Sequence, residues 1–280
     1  MRRRRLADRV FWGAASLAFA LIAAPAVSVV VSVFHQAAPA VGWSLFLEDT
    51  SSLGIQNALL GTLMLLLGVL VVAGTVGVAA GIYLAEFAGG RTGHVLRFFS
   101  EVLAGAPSIV IGFVGYTVLV VEFHWGNSLL AAVLALSVLV LPYIVKTTEV
   151  ALRQVPTSLR EAATGLGTPR WTTVRRVTLP VACPAVVTGL VMALAISTGE
   201  TAPLLFTGGW SDQTPTLHLF RHPITYLTGV TYFGISEPGA RAHATAAAAA
   251  AVSLVMLLLL ILIGHRVSAR ARRQTERMHL

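Results

Sequence analysis

Charge is scarce in this chain. Only 11% of its 280 residues are Asp, Glu, Lys or Arg, and 56% are apolar. An ordinary soluble domain is about 25% charged. With a mean hydropathy of +0.79, the composition excludes a water-surrounded globular domain. Cysteine is nearly absent. Cys183 stands alone, so it forms no internal disulfide, and it is expected to pack as a small apolar core residue. No G-x-x-x-x-G-K-[ST] segment occurs, which excludes nucleotide binding by that loop. Cys/His zinc spacing is missing too, and His218 and His222, four apart, are not read as a metal site. Polar clusters inside the apolar runs are almost lacking. An intramembrane enzyme, such as a lipid-modifying transferase, would need one. No cofactor is expected in this chain.

What is present is a series of long apolar runs. Six span about Val10 to Phe34, Ala58 to Leu84, Val102 to Val121, Ser128 to Val145, Val181 to Ser197 and Ala246 to Gly264. Each approaches the roughly 20 residues that cross a bilayer as a helix. In lipid every backbone amide must pair internally, so the runs read as helices rather than open strands. Arg2 to Arg5 before the first run, with Ala24-Pro25-Ala26 inside it, suggests a signal peptide. The run is too long for one, since such a segment holds about 7–15 apolar residues, and it reads as an uncleaved first span.

The basic residues orient the spans. With the N-terminus inside and strict alternation, only Arg221 and Arg241 of the 20 Lys and Arg fall outside. A bias this large favours both termini in the cytoplasm. The expected architecture is therefore an all-α integral membrane protein with six spans, N-in and C-in. Residues 1–9 form a basic cytoplasmic N-terminus and residues 10–280 one transmembrane domain.

The connecting segments are uneven. The outer segment from His35 to Asn57 carries Trp43 and Phe46, aromatics suited to the headgroup level. The outer loop 199–245 holds six glycines and four prolines, which rules out one straight helix and predicts a short re-entrant or interfacial piece. In the second span Gly77 and Gly81 form a GxxxG pair that permits close helix approach, within the chain or against a partner. The alanine run 246–251 offers another small-residue face.

The inside loop 153–180 is the one connection that is long and not apolar. It reads as two short helices. Ser158 is placed to cap the first, with Glu161 closing a capping box. Gly165 and Gly167 end it. Thr168 caps the second and Pro169 takes its first position. Leu159, Ala162, Ala163 and Leu166 make a small apolar face on the first helix. Local pattern leaves two readings open. One is a surface-lying amphipathic loop; the other is a short helix that docks in a groove of a soluble partner.

The order Glu161-Ala162-Ala163, then Gly167, Val177 and Leu179-Pro180 resembles the EAA loop of ABC importer permeases. The segments Gly81 to Glu86, Ala106 to Val110, Thr147 to Glu149, Ser158 to Ala163, Gly167 to Trp171 and Gly199 to Thr207 are similar to the phosphate permeases within that family. The resemblance implies a type I importer fold in a bacterial inner membrane. It implies a second permease subunit (PstC-like), two ATPase subunits (PstB-like) that bind ATP and magnesium, and an extracytoplasmic phosphate-binding protein (PstS-like). It assigns ATPase coupling to Ser158, Leu159, Glu161, Ala162, Ala163, Gly165 and Gly167. One position departs from the pattern: Ile196 stands where relatives carry an arginine four residues before the glutamate of Gly199-Glu200-Thr201-Ala202-Pro203. The positive charge must then come from elsewhere, such as the second permease.

Four residues are candidates for the translocation pathway: Pro107, Ser108, Glu200 and Thr201. Proline within a span frees a backbone carbonyl and kinks the helix. Ser108 and the amides near it are donors of the kind an anion needs, although a packing kink explains the same residues. Glu200 is either a solvated loop carboxylate or a pathway group. In the second case it accepts a hydrogen bond from a protonated phosphate oxygen or pairs with a partner's arginine. Glu86 and Glu101, near inner span ends, are expected to pair with Arg91 or Arg97, and Glu122 and His124 to be interfacial. The expected function is transport of phosphate without catalysis by this chain. Rivals are a permease for molybdate or sulfate, and a non-transporting membrane scaffold or sensor.

Overall fold

The computed structural model describes residues 2–278, with the side chains of 2–7, 9 and 270–278 excepted. The basic side chains Arg2 to Arg5, Arg9, Arg270, Arg272, Arg273 and Arg277, which enter the orientation argument, lie outside the described side chains. The helices in chain order are α1 (Arg2–Ala37), α2 (Trp43–Leu47), α3 (Gln56–Ile82), α4 (Gly90–Ala104), α5 (Ser108–Gly115), α6 (Leu129–Arg153), α7 (Thr157–Gly165), α8 (Arg170–Thr173), α9 (Leu179–Gly199), α10 (Ala202–Thr207), α11 (Leu227–Gly234) and α12 (Ala240–Met278). No strand occurs among the described residues.

Five helices are long and apolar enough to cross a membrane, and a sixth crossing is made only if the bent pair α4 and α5 counts as one. The run Val102 to Val121 is thus not one straight span. Only its first three residues belong to α4, and the segment Ser108–Glu122 that holds most of it meets α4 at 99°. Pro107 ends α4 because its ring clashes with a continuing helix, and it caps α5 in an extended conformation, φ −59° and ψ 133°. The carbonyl it was expected to free is instead used: Leu103 accepts from the Ala106 amide at 3.2 Å.

The centre is the pair α3 and α6. Leu65, Val69 and Ala73 of α3 pack with Val133, Leu136, Val140 and Ile144 of α6, and Ala193 of α9 and Leu204 of α10 close the cluster. Glycine sets the separation. A Cβ built on Gly77 would lie 2.7 Å from Ile144 Cγ2, and one on Gly81 would lie 2.5 Å from Thr148 Cβ. The GxxxG pair therefore serves packing within the chain. The alanines of α12 do the same, where Ala248, Ala249 and Ala251 join Ile55, Ala58 and Leu227 in a second cluster. α1 lies at the edge against α12, its apolar window wholly unburied.

Cys183 is exposed, contrary to the expectation of a core residue. α9 buries the stripe Ala182, Val186, Gly189 and Ala193, and one residue of helix turns Cys183 about 100° away from it. Loop 199–245 contains α10 and α11, two short helices separated by turns, in keeping with its breakers.

Candidate coupling helix and pathway residues

Loop 153–180 differs from the two-helix expectation in its second half. α8 runs through a widened turn, Val174–Thr178, directly into α9, so residues 170–199 form one continuous element. Only α7 stands as a separate short helix. It starts at Thr157, one residue before the expected cap, because Pro156 holds the extended conformation that precedes it, φ −53° and ψ 137°. Ser158 is therefore the second helical residue, and no side chain caps the helix. The capping box with Glu161 does not form.

The C-terminal end of α7 closes at Gly167, whose φ is +73°. The Gly167 amide donates to Thr164 O at 2.9 Å and the Thr168 amide to Ala163 O at 3.2 Å. This is the paired closure that a left-handed residue permits. Gly165 is the last helical residue and needs no such freedom. Thr168 does not cap α8. Its hydroxyl donates to Ala163 O at 2.7 Å and meets Thr173 Oγ1 at 2.9 Å, which locks the exit of α7 to the start of α8.

Arg160 seats α7 on the membrane helices. Its Nη2 donates to Leu152 O at 2.6 Å, on the last turn of α6. Its guanidinium also grips Glu86, beyond the end of α3, at 2.9 and 3.2 Å. Glu86 is buried, so its charge requires such a partner. A second clamp lies beside the first. Arg97 of α4 binds the buried Glu149 of α6 at 2.7 Å and donates to Leu84 O at 2.9 Å, and Arg153 joins Glu149 at 2.9 Å. The expected pairing of Glu86 with Arg91 or Arg97 is thereby corrected. Glu101 faces Lys146 at 3.9 Å, with both side chains exposed. Both arginines hold carbonyls near helix C-termini, where a cation is electrostatically favoured.

With Arg160 holding one side, α7 presents the other to solvent. Ala163 is buried, while Leu159, Glu161, Ala162 and Leu166 are exposed, Leu166 by 84%. Glu161 has no hydrogen-bond or ion-pair partner among the described residues. Arg170 stacks over Phe87 at 5.3 Å, and Phe87 lies against Trp171. The arrangement is a short helix fixed at its base, with an acidic and apolar outer face.

The four pathway candidates come together from two helix breaks. Pro107 and Ser108 begin α5. Glu200 and Thr201 occupy the break between α9 and α10. α5 and α10 pack closely: a Cβ on Gly112 would meet Pro203 Cα at 2.6 Å, and Phe206 contacts Phe113 and Tyr116. Ser108 lies beside the half-buried Glu200 carboxylate. Thr228 donates to the Glu200 carbonyl at 2.9 Å. Ile196 packs against the main core, so the position of the expected arginine is filled by apolar contact. What sequence reasoning missed are Arg97, Glu149 and Arg160 as clamp residues. Their signal was present, since charged residues flanking apolar spans seldom stay buried alone.

A bundle of apolar, membrane-length helices with one short, clamped helix exposed to solvent is the architecture of a multi-pass membrane protein. The chain belongs to the family of binding-protein-dependent transport system inner membrane components, whose model matches residues 77–273. It is 47% identical to the phosphate transport system permease protein PstA 2 of Mycobacterium bovis over 86% of this chain and 80% of that protein. It is 43% identical to the PstA protein of Yersinia pestis over 57% of this chain and 54% of that protein. Its fold is similar to an inward-facing structure of the MetNI methionine ABC transporter, with a TM-score of 0.61 and 20% identity, over 75% of this chain and 94% of the other.

Proposed function

We propose that this chain is one permease subunit of an ATP-driven phosphate importer of the bacterial inner membrane, with both termini in the cytoplasm. α7 within loop 153–180 is the coupling element. The observation that carries this reading is the clamped base and free outer face of α7, in a chain of this family. The exposed strip Leu159, Glu161, Ala162 and Leu166 enters a groove on an ATPase subunit, which binds ATP and magnesium. Movement of that subunit passes through Arg160 to Glu86 and Leu152, and so to the inner ends of α3 and α6. Gly167 fixes the exit direction of α7.

The phosphate assignment rests on the 47% identity to a phosphate permease over most of both chains. Ser108, Glu200 and Thr201 line the route of the anion, with Pro107 aiming α5 at it. Glu200, as an acceptor, suits a phosphate oxygen that still carries its proton. With Ile196 in place of a cation, the compensating charge comes from a PstC-like second permease, and a PstS-like binding protein delivers phosphate to the outer loop 199–245.

The test is the assembled complex in proteoliposomes with two PstB-like ATPase subunits. ATP-dependent entry of phosphate, not competed by sulfate or molybdate, is the expected result. Competition by either oxyanion would reassign the substrate. No flux with intact ATPase partners would make the chain a scaffold or sensor.

A further inference from the structure

Tyr226 is among the largest fully buried side chains, 1% exposed, and its hydroxyl has no partner among the described residues. Its ring is fixed from two sides: a Cβ on Gly229 would lie 2.9 Å from it, and one on Gly208 would lie 3.2 Å away. The residue lines a small, partly open cavity of about 10 Å³, together with Glu200, Ser197, Thr198, Thr62, Thr228 and four leucines. That volume accommodates about one water molecule.

The lining decides what the cavity accepts. Thr62 donates to Ala58 O at 2.8 Å, Ser197 to Ala193 O at 3.0 Å, Thr198 to Leu194 O at 2.8 Å and Thr228 to Glu200 O at 2.9 Å. Each hydroxyl has used its single hydrogen and offers the cavity only lone pairs. An ionised Glu200 is likewise an acceptor. The Tyr226 hydroxyl is the one side-chain donor left. An anion is repelled by such a lining. A water molecule fits it, accepting from Tyr226 and donating twice.

We propose that one internal water bridges the Tyr226 hydroxyl to Glu200, making Tyr226 a positioning residue for the pathway carboxylate. The bridge holds Glu200 from the core side, and Ser108 of α5 lies beside it. The α9–α10 break is thereby tied to the chain leading into α11. This inference rests on the reading of Glu200 as a pathway residue.

The experiment uses the complete complex in proteoliposomes and measures phosphate moved per ATP hydrolysed. Tyr226→Phe keeps the packing and removes only the hydroxyl. Transport per ATP is expected to fall about tenfold, the scale of losing a hydrogen bond to a charged group, with protein yield and ATPase rate retained. In a Glu200→Gln background the same change is expected to have no further effect. An unchanged ratio for Tyr226→Phe, or an equal fall in both backgrounds, overturns the proposal. If Glu200→Gln alone transports normally, the pathway reading of Glu200 fails instead. High-resolution density then judges the bridge by itself: a water within hydrogen-bond distance of both groups supports it, and a dry cavity overturns it.

Discussion

Arg160 and Glu86 are 74 residues apart in sequence and joined by a two-pronged contact, at 2.9 and 3.2 Å. The pair joins loop 153–180 to the chain just beyond α3, and the same guanidinium takes the Leu152 carbonyl. One planar side chain therefore holds α7 to two membrane helices. Lysine, a point donor, cannot reproduce the fork.

Removing one partner leaves the other buried and uncompensated. Arg160→Ala is expected to cost about 3 kcal/mol, read as a lower melting temperature of the purified complex. Arg160→Lys is expected to recover part of that stability but little transport. The double change Arg160→Met with Glu86→Gln should cost less than the sum of its parts. Strict additivity in that cycle would mean the contact carries no coupling energy.

Glu161→Lys alters only the outer face of α7. Because Glu161 is exposed and unpaired among the described residues, the chain's stability should change by no more than about 0.5 kcal/mol. Uptake is expected to be abolished, while membrane insertion stays normal on blots of membrane fractions. Normal uptake by this variant would remove α7 from the coupling role.

Gly81 faces Thr148 with no room for a side chain. Gly81→Val forces α3 away from α6 and is expected to destabilise the fold by about 1–3 kcal/mol or more. Gly13, inside α1, where an added Cβ meets nothing within 4 Å, is the control: Gly13→Ala should be neutral or slightly stabilising. Thermal unfolding in detergent compares the two.

The orientation is read by labelling. Ala162→Cys, made in a Cys183→Ala background because Cys183 is itself exposed, should react with a membrane-impermeant maleimide only from the cytoplasmic side. Labelling from outside would invert the topology.

Much of the site was legible before folding. The short helix through Glu161, Ala162 and Ala163 and its end at Gly167 were anticipated, because helix ends depend on neighbours a few residues away, and Gly167 carries the left-handed turn. The same local reasoning misplaced the cap by two residues, at Ser158 instead of Pro156. It also treated Pro107 as a kink where the chain turns by 99°. A proline announces a break, but the angle is set by what α5 packs against, here α10 through Gly112 and Pro203.

The order of amino acids alone determined the membrane class, the approximate positions of the apolar crossings and the kind of inner loop that joins two of them. These follow from transfer of apolar surface and from backbone pairing, which act along the chain within tens of residues. Only the folded arrangement decided which acid meets which base, that Ser108 reaches Glu200, and that Gly77 and Gly81 face α6. Such choices depend on how helices far apart in sequence are brought side by side. A buried charge takes the nearest arginine in space, whatever its distance along the chain.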